Sequence, residues 1–129
     1  MIIVTEKIPK KKLLIIEDER HIAEAERIIL ENAYDVHMVH DGLEGLHKAI
    51  EMQPDIIVLD IMLPNMNGFE VCKNLRSNKS LNKTKIVMVT AKDQDRDEIM
   101  GMELGADDYI MKPFEADELM HVVNQVLKN

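Results

Sequence analysis

Five short apolar runs alternating with five amphipathic segments predict an α/β fold, a parallel sheet wound by helices into three layers. Two further observations support it. The runs at 13–16 and 56–59 are apolar at every position, as strands covered on both faces require. Four runs also end on chemically active groups: Glu17 and Asp18, Asp60, Thr90, and Lys112 just before Pro113. Open parallel sheets bind their ligands at the carboxyl ends of their strands.

Taken in order, strands are predicted near Lys12–Glu17, Asp35–Val39, Asp55–Leu59, Lys85–Thr90 and Asp107–Met111. Helices are predicted near 20–32, 42–52, 67–77, 94–104 and 115–127. Together they form a (βα)5 unit with right-handed crossovers. The first helix places Ile22, Ala25, Ile28 and Ile29 on one side, with Glu24, Glu26 and Arg27 mostly elsewhere. Asp41 with Glu44, and Asn67 with Glu70, have capping-box spacing at the second and third helix starts. Gly105 falls where the fourth helix should stop.

The chain of 129 residues fits one domain. Residues 1–10 read as a mobile tail, with an edge strand through Ile2–Thr5 as the other reading, and residues 11–129 as the domain. No output segment is recognised, so action through a separate protein is expected. With 16 basic against 24 acidic residues the net charge is -8, which disfavours nucleic acid. Two Phe, two Tyr and no Trp leave an aliphatic core and no platform for stacking bases. Ten Met fill its gaps; Met100, Met102, Met111 and Met120 are read as core rather than as a partner surface. The single cysteine, Cys72, excludes an internal disulfide, reads as a small buried hydrophobe and points to the cytoplasm. No apolar stretch approaches the roughly 20 residues of a membrane span. His37 and His40 lie three apart on or just beyond a strand, so they tend toward opposite faces and do not suggest zinc.

Asp60 is the central group, pushed out of the sheet edge by Ile56–Leu59 and followed by a Pro- and Gly-containing turn. Glu17 and Asp18 end the neighbouring strand. Three acids so close need a cation, and a partly hydrated Mg²⁺ suits oxygen ligands. A carboxylate beside Mg²⁺ can attack phosphorus to form an acyl phosphate. Lys112, the Thr90 hydroxyl and the backbone N–H of Ala91 can share the charge on the phosphoryl oxygens.

The segments Leu13–Glu19, Ile57–Gly68, Val89–Ala91 and Gly105–Phe114 resemble the receiver domain of two-component response regulators, chemotaxis regulators among them, over about residues 11 to 128. The resemblance implies a flavodoxin-like strand order 2-1-3-4-5. It implies phosphate transfer from a histidine kinase or phosphotransfer protein to Asp60. Mg²⁺ would be held by Glu17, Asp18, Asp60 and the Met62 carbonyl, and Lys112–Pro113 would be cis. Glu17 stands where many members carry Asp. Tyr109 would be the switch aromatic, repacking the face of the fourth helix, fifth strand and fifth helix toward an unknown downstream partner. Asp107, Asp108 and Glu118 match the acidic half of a dimer face used by winged-helix regulators. Glu98 and Val122 replace its usual basic residues, so a monomer or weak dimer is expected. Met62 and Lys92 would flank the phosphoryl group and govern its lifetime.

Two other functions use related chemistry. A haloacid dehalogenase-type phosphatase also has an aspartyl nucleophile, but needs a second Asp where Met62 stands and a cap for which there is no room. An interaction domain independent of phosphorylation would not need the complete set of phosphoryl-binding groups. The expected protein is therefore a signalling domain, not an enzyme, that assists only its own phosphorylation and dephosphorylation.

Overall fold

The structure, a computed structural model, describes residues 9–91 and 100–129. The expectations for the tail at 1–8, for Lys92 and Glu98, and for the fourth helix over 94–99 lie outside those residues. Five strands, β1 (Lys12–Ile16), β2 (Asp35–Val39), β3 (Ile56–Asp60), β4 (Lys85–Thr90) and β5 (Asp108–Met111), form one sheet. Every pairing is parallel, in the order β2-β1-β3-β4-β5. The helices are α1 (Arg20–Leu30), α2 (Gly42–Met52), α3 (Gly68–Ser77), the turns of α4 at 100–103, and α5 (Ala116–Lys128).

The period of two along each strand divides the core. Leu14, Ile16, Ile57, Leu59, Ile86 and Met88 face α2 and α3, with Val71, Cys72 and Leu75 packed against them. Leu13, Ile15, Ile56, Val58, Val87 and Val89 face α1 and α5, meeting Ala23, Leu30, Leu119 and Val123. This accounts for the unbroken apolar runs: both faces of β1 and β3 are covered. Asp41 and Asn67 cap α2 and α3 by accepting from the N–H groups of Glu44 (2.8 Å) and Glu70 (3.0 Å). Gly105 ends α4 with φ +106°, a left-handed conformation that favours glycine. Cys72 is fully buried and burial pushes its thiol up to about 11, so it packs as the expected hydrophobe.

Two expectations are corrected. On α1 the sheet-facing residues are Ala23, Glu26 and Leu30, while Ile28 is 57% exposed and Ala25 lies at the surface. Spacings of three and four put 23, 26 and 30 on one face, and the helix docks through that face despite its glutamate. Met100, Met102 and Met111 are exposed rather than core-filling; Met111 lies on β5, an edge strand with a neighbour on one side only. Met120 does pack against the α1–α5 side of the core.

Arg76 ties the amino-terminal edge together. Its guanidinium donates to the carbonyls of Gly105 (2.8 Å), Leu81 (3.2 Å) and Thr84 (2.7 Å) and to Asp107 Oδ2 (2.9 Å). The same Asp107 oxygen accepts from the Ile86 N–H at 2.8 Å. Arg76→Ala strips four acceptors at once and should lower unfolding stability by about 3 kcal/mol in urea titrations. A loss below about 0.5 kcal/mol would show that water replaces the clamp.

Candidate functional site

β1 stops at Ile16, so Glu17 lies one residue beyond the strand, yet its N–H still bonds to the Val39 carbonyl at 3.1 Å. Its side chain is 1% exposed and turns inward. One oxygen accepts the Glu19 N–H at 3.2 Å and the other accepts the Lys112 ammonium at 2.9 Å. His40, one residue beyond β2, places Nδ1 at 3.1 Å from the Glu17 carbonyl and so braces this turn.

Asp60 is the last residue of β3 and is 4% exposed. Its Oδ1 accepts the Met62 N–H at 3.3 Å and its Oδ2 lies 3.5 Å from the Lys112 ammonium. The turn after it is fixed by backbone bonds from Ile61 N–H to Val89 (3.0 Å) and from Gly68 N–H to Ile61 (2.9 Å). Thr90 closes β4, 1% exposed, its hydroxyl 3.3 Å from the Ala91 carbonyl. The Lys112 N–H bonds to the Thr90 carbonyl at 2.8 Å, which fixes the loop carrying the lysine against β4. The Lys112–Pro113 peptide is cis.

Glu17, Asp18 and Asp60 each offer an oxygen, and these three atoms lie within 4.8 Å of one another. An all-oxygen set of carboxylates at this spacing fits a hard dication such as Mg²⁺. Burial, and then contact with Asp60, raises Glu17 to about 7, with Lys112 opposing. Burial alone would lower the Lys112 pKa, but its pairs with Glu17 and Asp60 outweigh that and raise it. The lysine is therefore a fixed positive charge wedged between two carboxyls.

The sequence-predicted acids and Lys112 thus meet at one sheet edge. Ala91 lies there too, at the surface beside Thr90. Tyr109 stands apart, half-buried on β5 in register with Met88 and packed against the α2–α3 side of the core. Two residues escaped the sequence reading. His40 carried only an alternation argument, and its bond to the Glu17 carbonyl depends on β2 lying beside β1. Glu26 was placed on the wrong face of α1; the Ala23–Glu26–Leu30 spacing was the available signal.

Comparison with known proteins decides the family. The response regulator receiver domain matches residues 13–124. The chain belongs to that family. Response regulator ArlR of Staphylococcus saprophyticus is 43% identical to this receiver domain over 118 residues, 91% of this chain and 52% of the relative. The alkaline phosphatase synthesis transcriptional regulatory protein PhoP of Bacillus subtilis is 46% identical over 119 residues, 92% and 49% of the two chains. A crystal structure of a putative response regulator from Chloroflexus aurantiacus superposes with a TM-score of 0.89 at 34% identity, covering 93% of this chain and 99% of that one. The receiver domain spans about half the length of the curated relatives it matches. The expectation that no nucleic acid is bound therefore concerns these 129 residues. No helix among the described residues is long and apolar enough to cross a membrane.

Proposed function

We propose that this receiver domain accepts a phosphoryl group on Asp60 and uses it to change which protein it binds. The observation that carries the reading is the Lys112 ammonium, 2.9 Å from Glu17 and 3.5 Å from Asp60, at the mouth of a buried carboxylate cluster. An Asp60 oxygen attacks phosphorus while the bond to the donor breaks, leaving an imidazole nitrogen on a histidine kinase or phosphotransfer protein, or acetate from acetyl phosphate. Lys112 swings from its carboxyl partners onto a phosphoryl oxygen, and the Thr90 hydroxyl and Ala91 N–H take another. Glu17, Asp18, Asp60 and the Met62 carbonyl would hold Mg²⁺, which would supply charge neutralisation there. Burial and the neighbouring Asp60 hold the Glu17 carboxyl above its usual range, so metal binding at these carboxylates would weaken as pH falls.

The output runs through the α4–β5–α5 face. Tyr109 moves inward as Thr90 is drawn to the phosphoryl group, a shift between two packings of that face. The exposed Met100, Met102 and Met111 give the face an adaptable apolar surface for a downstream protein. Val122, half-buried on α5, offers no charge to Asp107 or Asp108 of a second copy, so the domain is a monomer or weak dimer. The working unit is residues 11–129. A phosphatase of the haloacid dehalogenase type is not favoured, because Met62 stands where its second Asp is needed.

Intact mass after incubation with acetyl phosphate and Mg²⁺ tests the reading. The wild-type chain should gain one phosphate, and Asp60→Asn none. No gain in the wild type would indicate an interaction domain, and rapid turnover of varied phosphate esters would indicate a phosphatase.

A further inference from the structure

Met62 holds its thioether in solvent at the mouth of the acidic site. Its side chain is 71% exposed, against 47% for Met100, 48% for Met102 and 42% for Met111, while Met88 is buried. The turn after β3 fixes its backbone. There the Leu63 N–H bonds to the Ile61 carbonyl at 3.0 Å, and the Met62 N–H bonds to Asp60 Oδ1 at 3.3 Å. The residue lines a cleft of about 700 Å³ whose other walls include Asp18, Pro64, Phe69 and Ala91. Asp18 belongs to the acid cluster and Ala91 follows Thr90 at the end of β4, so the cleft opens onto the phosphoryl-accepting end. Met66, four residues on, differs: it is half-buried and its sulfur lies 3.9 Å from the Asn74 amide nitrogen.

We propose that the Met62 sulfur is a modification site: hydrogen peroxide oxidises it to the sulfoxide, and the sulfoxide shortens the life of the phosphoryl group on Asp60. The inference rests on the reading of Asp60 as the phosphoryl acceptor. A sulfur lone pair attacks one peroxide oxygen, the O–O bond breaks, and the oxygen now on sulfur gives its proton to the departing hydroxide. Sulfur loses two electrons, the peroxide gains them, and one water is released. Susceptibility follows exposure, because the oxidant must reach the lone pair.

The consequence for the phosphoryl group follows from what the cleft wall then carries. A thioether sulfur is a weak hydrogen-bond acceptor, and oxidation turns this flexible apolar side chain into a polar one. On a wall shared with Asp18 and Ala91, the sulfoxide oxygen holds a water beside the acyl phosphate. That water attacks phosphorus, the bond from phosphorus to the Asp60 oxygen breaks, and inorganic phosphate departs from a regenerated carboxylate. Oxidation adds no net charge, so its effect is confined to hydrogen bonding in the cleft. Met100, Met102 and Met111 do not line this cleft, and their oxidation leaves the acyl phosphate alone.

The first readout needs no phosphorylation. The chain is treated with limiting hydrogen peroxide, freed of oxidant, digested and mapped, and most of the added oxygen should sit on Met62. The second is the half-life of the phosphorylated chain. Treated and untreated samples are loaded from phosphoramidate with Mg²⁺, freed of donor and followed by intact mass. Oxidation should shorten the half-life about 5-fold, the worth of one well-placed hydrogen bond. Methionine sulfoxide reductase with dithiothreitol should restore it. Each variant is compared with its own untreated sample: Met62→Leu should show no change, and a triple Met100→Leu, Met102→Leu, Met111→Leu variant should keep the wild-type ratio. Oxygen placed mainly on the other methionines, an unchanged or longer half-life, or equal shortening in Met62→Leu would overturn the inference. If the untreated chain takes up no phosphate, the Asp60 reading fails, while the peptide map still decides whether Met62 is the oxidised residue.

Discussion

At pH 8, Glu26→Leu should unfold at higher urea concentration than the metal-free wild type, a gain on the order of 3 kcal/mol that shrinks to about 1 kcal/mol at pH 5. Leucine supplies similar bulk to the face that already buries Ala23 and Leu30, and removes an oxygen with no partner. The pH dependence follows from the direction of the Glu26 shift. Its folded value, about 8, lies above the ordinary 4.5, so between these values the unfolded chain releases a proton that the native chain keeps. Native protein then binds more protons, and stability falls as pH rises through that window and levels off above it. Glu17, raised to about 7, acts in the same direction in both proteins. Equal gains at pH 5 and pH 8 would mean that Glu26 is ionised in the native chain throughout.

Gly68→Ala should cost about 3 kcal/mol and depress phosphoryl uptake at the same time. A methyl group at position 68 would lie 2.5 Å from the Asp60 carbonyl oxygen and 2.6 Å from the Ile61 Cα. Both are backbone atoms at the end of a central strand, so the turn carrying Asp60 must move. The Gly68 N–H also bonds to the Ile61 carbonyl, which fixes the approach that leaves no room for a side chain. Gly101→Ala is the control, since its closest neighbour is the flexible Met88 sulfur at 2.9 Å. Urea unfolding and phosphoramidate uptake measured on both variants check the contrast. Comparable losses in the two would show that close packing at Asp60 is not what Gly68 provides.

Much of this was legible in the sequence because it depends on local signals. Unbroken apolar runs marked β1, β3 and β4, and Asp41, Asn67 and Gly105 marked helix ends through capping chemistry that acts over three or four residues. The acids and the lysine were legible because strand ends are short and polar. What the sequence withheld depends on neighbours distant in the chain. The buried face of α1 is chosen by the sheet, and Glu26 rides on it because Ala23 and Leu30 do. The exposure of Met111 follows from β5 being an edge strand. His40 gains its contact only once β2 pairs with β1.

Borohydride reduction of the phosphorylated chain, followed by peptide mapping, tests the central claim most directly. An acyl phosphate is reduced to the alcohol, so an aspartyl phosphate becomes homoserine. Wild-type protein treated with phosphoramidate and Mg²⁺ should yield homoserine at position 60 alone, and Asp60→Asn none. Homoserine at position 18, a phosphate that resists borohydride, or phosphate on any of the five histidines would contradict Asp60 as the acceptor.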